Sequence, residues 1–139
     1  MADEQTPSTT MTGRLSEAFL EGDILVIRIT TGDIRTPQDS QSLRTELLDF
    51  VERLGKTRVV VDLEAVQFIG SAGLLGFLSL RRRVSEDAQG EVVLCCVSDD
   101  LSSLLQVCRL IPTEPGLPAA FQVAPSRQAA LDLLRRQKP

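Results

Sequence analysis

The chain is 139 residues long, within the roughly 100 to 150 residues at which single domains cluster, so one core is expected. A formal charge of −4 and a pI near 4.8 argue against the clustered basic face that a nucleic-acid backbone requires. The chain contains no His, Tyr or Trp, which removes Ser-His-Asp and Cys-His catalysis and every His-containing metal site.

The two short basic runs, Arg81-Arg82-Arg83 and Arg135-Arg136 with Lys138, fall at the ends of predicted helices, where cations complement the helix dipole. Cys95, Cys96 and Cys108 form no CxxC pair and offer no fourth ligand for a zinc site, so neither metal nor cofactor is expected. Free thiols, the first two in a buried strand, suit a reducing compartment. The first 25 residues lack a basic segment followed by an apolar one, and no apolar run nears the ~18 to 20 residues that span a bilayer. A cytoplasmic location without membrane insertion is the expectation.

Residues 1–12 are polar and rich in Thr and Pro, and predict a mobile tail ahead of a domain over 13–137. Leu15 to Leu20 reads as a strand, Glu21-Gly22-Asp23 as a turn and Ile24 to Ile29 as a second strand, together a β-hairpin. Thr36-Pro37-Gln38-Asp39 has the pattern of a helix start, with Thr36 as N-cap. Leu43, Leu47, Leu48, Val51 and Leu54 then mark one helical face until Gly55 provides a stop.

Val59 to Leu63 is a continuous apolar run suited to a central strand covered on both faces. A helix from Ser71 to about Ser85, a buried strand from Glu91 to Val97 and a helix from Asp99 to Leu110, capped by its Asp-Asp pair, follow. Pro112 to Pro118 predicts an irregular loop and Ala120 to Val123 an edge strand. Ser126 caps a last helix with Ala129, Ala130, Leu133 and Leu134 on its buried side. The order implies an α/β fold: a hairpin, then βαβα units, giving a mixed four- to five-stranded sheet with about four helices.

Function in such sheets resides where a strand's C-terminal end turns into a helix. Phe68-Ile69-Gly70-Ser71-Ala72-Gly73 is such a turn, with Ser71 placed as helix N-cap and little side-chain bulk around it. A phosphate on Ser71 would sit beside free N–H groups and the positive end of the helix dipole, so the fold tolerates it. A docked partner does not. Read from spacing alone, Ser71 is a plain N-cap without a regulatory role, as most such serines are. The helix after it carries Leu74, Leu75, Phe77, Leu78 and Leu80, more apolar circumference than one stripe facing a sheet requires, leaving a partner or a neighbouring helix to cover the excess.

At these residues the chain resembles the STAS domain family, specifically the bacterial anti-sigma factor antagonists. The string VVVDLEAVQFIGSAGLLGFLSLRRRV, residues 59–84, is similar to that family's strand, Asp-Leu, Phe-Ile-Asp-Ser-Ser/Ala-Gly-Leu turn and helix. Val92 through Cys108-Arg109-Leu110, Phe121-Gln122-Val123 and Ala129-Ala130-Leu131 also fit the family's ending, so the likeness covers nearly all of residues 14–136. The resemblance implies an antagonist that binds a kinase-type anti-sigma factor, is released by phosphorylation of the turn serine and is restored by a PP2C-type phosphatase. By position, Ser71 is the phosphoacceptor, Asp62 is the strand-end aspartate, and Gly73 and Leu74 are the Gly-Leu that opens the helix. The implied partner-binding set is Gly70, Ser71, Ala72, Gly73, Leu74, Leu75 and Asp62, on a monomer or weak dimer with no catalytic residue.

The chain departs from the family at Gly70, where Asp is usual, and at Ala72, where many members carry a second serine. The alternative is a STAS scaffold or subunit, in a stressosome or beside a lipid-transport ATPase, that docks through residues 74–84 without phosphorylation. An enzyme built on Ser71 or Cys108 lacks a base, since Asp62 and Asp33 are carboxylates and activate a serine poorly.

Overall fold

A computed structural model of the chain describes residues 10–112 and 119–136. Most of the expected tail and most of the Pro-rich loop lie outside the described residues. The expected hairpin forms from β2 (Ser16–Glu21) and β3 (Ile24–Ile29), joined at Gly22, whose φ of 64° is the left-handed conformation glycine adopts freely. β1 (Met11–Thr12) adds antiparallel to β2, with Met11 opposite Ala18, so residues 11 and 12 are strand rather than tail.

After β3 the chain forms β4 (Asp33–Ile34) and α1 (Pro37–Leu54). α1 begins as its sequence dictates: the Thr36 side chain accepts from Asp39 N–H at 3.0 Å, with Pro37 in the first turn. It ends at Gly55, φ 68°, whose N–H reaches the Val51 carbonyl. β5 (Arg58–Asp62), β6 (Phe68–Ile69), α2 (Ser71–Val84), β7 (Glu91–Cys95), α3 (Asp99–Val107), β8 (Gln122–Ala124) and α4 (Arg127–Arg136) complete the chain.

The main sheet has six strands in the order β1-β2-β3-β5-β7-β8, against the four to five expected, and is parallel from β3 onward. Three crossovers in one direction along the sheet carry α1, α2 and α3 to the same face. There Leu43, Leu47, Phe50, Leu74, Phe77, Leu80, Leu101 and Leu105 join Leu25, Ile27, Val59, Val61 and Leu94 in one core cluster. The other face, bearing Ile24, Val26, Val60, Val93 and Cys95, is covered by Ala130, Leu131 and Leu134 of α4. Strand alternation thus gives β5 a different core on each side.

Several boundaries differ from the sequence reading for local reasons. α3 is capped by Ser98, whose side chain accepts from Leu101 N–H at 3.2 Å, and the two acids sit in its first turn. It closes at Cys108, with Arg109 left-handed at φ 60° and Leu110 N–H bonded to the Leu105 carbonyl. β7 stops at Cys95 because Cys96 also adopts φ 60°. β8 lies at 122–124 rather than 120–123. Ser126 caps α4 through Ala129 N–H at 3.1 Å; Leu131 is buried in that helix, whereas Ala129 and Leu133 are only partly so.

A second, two-stranded parallel sheet, β4 with β6, was not legible in so short a pattern. It backs the start of α2, and Gly73 is what allows the approach. A Cβ built at Gly73 would meet Ile69 Cγ2 at 2.6 Å and Ile34 Cγ2 at 3.2 Å. Gly76, one turn on, faces the Arg44 backbone of α1 with an ordinary 3.5 Å clearance.

The two glycines therefore make opposite predictions. Gly73→Ala overpacks the β4–β6 contact and lowers unfolding free energy by about 1 to 3 kcal/mol. Gly76→Ala fits and gains about 0.5 to 1 kcal/mol from reduced backbone entropy. Urea denaturation of both variants reads this sign difference directly; equal shifts of one sign would contradict it.

Candidate functional site

The turn into α2 is set by its neighbours. β6 pairs with β4 in register Asp33 with Phe68 and Ile34 with Ile69. The Gly32 carbonyl accepts from Gln67 N–H at 2.8 Å and Phe68 N–H at 3.1 Å, and the Ile34 carbonyl accepts from Gly70 N–H at 2.8 Å. Gly70 is thereby held extended, at φ −75° and ψ 169°, as the N-cap of α2, and its carbonyl takes Gly73 N–H at 2.9 Å and Leu74 N–H at 3.2 Å.

Ser71 is therefore the first helical residue and not the N-cap that its hydroxyl suggested. Glycine is itself an acceptable cap, and the Ile34 bond supplies the conformation that a capping side chain otherwise fixes. Ser71 is exposed, and among the described residues its hydroxyl makes no hydrogen bond. The first turn of α2 contains no acid, and neither the Ser71 nor the Ala72 N–H finds an acceptor among the described residues.

Around this hydroxyl lies a small apolar surface. Leu75, four residues on and so on the same helical face, is 60% exposed. Phe68 is 37% exposed; its ring lies beside Gly70, 3.9 Å from where a Cβ would stand, and carries the Arg35 guanidinium 4.1 Å above its centroid. Arg35 also pairs with Asp33 at 3.5 Å. A lone arginine in a loop gave no signal in the sequence; the pairing of β4 with β6 brings it here.

The expected binding set thus divides. Ser71, Ala72 and Leu75 are presented to solvent around half-buried Gly70. Gly73 and Leu74 point inward and position the helix. Of the apolar excess on α2, Leu74, Phe77 and Leu80 are buried and Leu78 partly so, leaving Leu75 as the residue uncovered.

Asp62 goes elsewhere. It shares the parity of Val60, so it faces α4 while α2 lies across the sheet. It is 2% exposed and accepts from Arg127 Nη2 at 3.0 Å, Arg127 Nε at 3.3 Å and Glu64 N–H at 3.0 Å. In the next strand Cys95 lies opposite it, and the ligand atoms of Asp62, Cys95 and Cys96 all fall within 4.8 Å of one another. Burial pushes the Cys95 thiol far above the ordinary thiol range, and the Asp62 charge adds to this. Burial, then Asp62, raises Cys96 as well.

The STAS domain family model matches residues 20–126, from β2 to the start of α4. The chain belongs to the STAS domain family. A protein of Bordetella bronchiseptica named as an anti-sigma factor antagonist, BtrV, is 31% identical over 101 residues, 73% of this chain and 79% of that protein. Among solved structures, an anti-sigma-factor antagonist STAS domain protein from Planctomyces limnophilus superposes with a TM-score of 0.70 at 24% identity, over 86% of this chain and 96% of that one. The anti-sigma factor antagonist SpoIIAA in its unphosphorylated form gives 0.60 at 17% identity, over 86% and 97%. Its phosphorylated Bacillus form gives 0.61 at 18%, over 86% and 99%.

Among the described residues this STAS domain has no helix long and apolar enough to cross a membrane. Its three thiols occupy distinct environments: Cys108 is exposed, Cys96 half-buried and Cys95 buried. With a neutral-pH thiol reagent, native protein should release a fast phase from Cys108 alone, because it is the exposed thiol, whereas burial limits access to Cys95 and Cys96 and pushes both thiols up. Denaturation should make all three equally fast. Labelling of Cys95 at the rate of Cys108 in native protein would contradict this placement.

Proposed function

We propose that this STAS domain is an anti-sigma factor antagonist that docks a kinase-type anti-sigma factor on the surface of Phe68, Ser71, Ala72 and Leu75, and that phosphorylation of Ser71 releases it. The observation that carries the reading is the exposed, unbonded Ser71 hydroxyl at the start of α2, flanked by exposed Leu75 and Phe68. The relatives support it: BtrV is named as such an antagonist, and SpoIIAA has been solved with and without its phosphate.

The energetics favour a switch that acts on the complex rather than the fold. A phosphate at Ser71 lies by a helix end with free N–H groups and no acid in the turn, an interaction worth about 0.3 to 1 kcal/mol at an exposed site. Under a docked apolar partner the same charge is desolvated at a cost of several kcal/mol. A PP2C-type phosphatase then resets the domain. The protein acts by binding, in the cytoplasm, as a monomer or weak dimer, and no catalytic role is assigned to any side chain.

Gly70 favours a second reading, a STAS scaffold or subunit that docks on a stressosome or lipid-transport component without phosphorylation. Its φ of −75° is open to any residue, and a Cβ there would stand 3.6 Å from the Ile34 carbonyl, an ordinary contact. The backbone does not demand glycine, so the missing carboxylate is a property of the site. Intact mass of protein isolated from its own cell separates the readings: a phosphoform at Ser71 counts against the scaffold.

Binding to a kinase-type anti-sigma factor, measured for the native protein, Ser71→Ala and Ser71→Asp, tests the proposal. Native protein and Ser71→Ala should bind alike, and Ser71→Asp should bind about tenfold or more weakly, a loss of at least ~1.4 kcal/mol. Equal binding by all three, or by none, overturns it.

A further inference from the structure

Among the described residues one group of Cys, Asp and Glu side chains converges as metal ligands do: Asp62, Cys95 and Cys96. None of them belongs to the surface around Ser71. Asp62 ends β5 and Cys95 ends β7, neighbouring parallel strands with the two residues in register, so the sheet itself fixes this pair.

Cys96 is the residue whose presence requires explanation. In an extended strand successive side chains point to opposite faces, and Cys96 would turn away from Cys95. Instead Cys96 takes φ 60°, an uncommon conformation for a residue with a Cβ. That twist ends the strand and returns its sulfur to within 4.8 Å of both the Cys95 sulfur and the Asp62 carboxylate. Backbone strain of this sort persists where the surrounding structure imposes it, and it gathers at sites with a task.

We infer that Asp62, Cys95 and Cys96 form a binding site for a thiophilic divalent cation of the zinc class. Two sulfurs and one carboxylate oxygen select a soft or borderline ion and disfavour magnesium or calcium, which take oxygen donors. Tetrahedral zinc with Zn–S bonds of about 2.3 Å needs sulfurs about 3.8 Å apart, and the ligand atoms here all lie within 4.8 Å of one another. Asp62 can supply an oxygen without leaving Arg127 or Glu64 N–H. Its two oxygens together offer about four acceptor positions, and those partners use both oxygens without exhausting them. Loading releases the two thiol protons to solvent, which half-buried Cys96 can reach.

The sequence showed no such motif because Asp62 and the cysteines are far apart along the chain and Cys95-Cys96 lacks the C-x2–4-C spacing typical of zinc sites. Only the β5–β7 register and the twist at Cys96 assemble the set.

The test is titration of the reduced full-length protein with zinc against a chromogenic chelator, and with cobalt as a spectroscopic substitute. The native protein should bind one equivalent per chain, and cobalt should give a thiolate-to-metal charge-transfer band. Cys96→Ser, at a half-buried position, should weaken zinc binding about tenfold or more and diminish the band. Cys108→Ser, outside the cluster, should change neither. Circular dichroism establishes that both variants are folded, and if Cys96→Ser is not, Cys96→Ala takes its place. No bound zinc in the native protein, no thiolate band, or equal loss in the Cys108 variant overturns the inference. Reduced protein that ignores zinc but forms a Cys95–Cys96 disulfide with peroxide also overturns it, in favour of a redox pair.

Discussion

The hydrogen bond from Gly70 N–H to the Ile34 carbonyl is the constraint on which the presentation of Ser71 depends. β4 and β6 are each only two residues long and would not persist alone, yet they determine where α2 begins. Gly73 lets the helix settle onto Ile34 and Ile69, and the first turn is then fixed from below by packing and from behind by backbone pairing. Ser71 and Leu75 are turned outward as a consequence. The serine is exposed between two anchored glycines, Gly70 directly before it and Gly73 two residues on.

The sheet divides the molecule's chemistry as well as its core. Strand alternation in β5 sends Val59 and Val61 toward α1, α2 and α3, and sends Val60 and Asp62 toward α4. The strand-end aspartate and the turn serine, read together in the sequence as one binding set, thus serve different faces. Asp62 ties α4 to the sheet through Arg127, which also lies 5.3 Å from the Phe19 ring. Burial around this ion pair also pushes the Cys95 and Cys96 thiols up from the ordinary thiol range.

Much of the fold was legible because its signals are strong and local. Thr36-Pro37 and Gly55 bracket α1, Gly22 marks the hairpin, and the apolar run of β5 announces a strand covered on both sides. What escaped has a common cause, in that it depends on partners distant in sequence. The β4–β6 pair is too short to carry a pattern, and it made Gly70 rather than Ser71 the cap of α2. The left-handed Cys96 ended β7 two residues early without glycine to signal it. Arg35 joined the exposed surface only through the ring of Phe68, and Asp62 met the cysteines only through the register of β5 with β7.

Ser71 can receive charge without disturbing the fold only if its anchoring and its freedom coexist within three consecutive residues. Native-state amide hydrogen exchange resolved at Gly70, Ser71 and Ala72 examines both conditions at once. The Gly70 amide should be protected through its bond to Ile34, while the Ser71 and Ala72 amides should exchange close to the rate of an open chain. A Gly70 amide that exchanges as freely as its neighbours, or a protected Ser71 amide, would contradict the account.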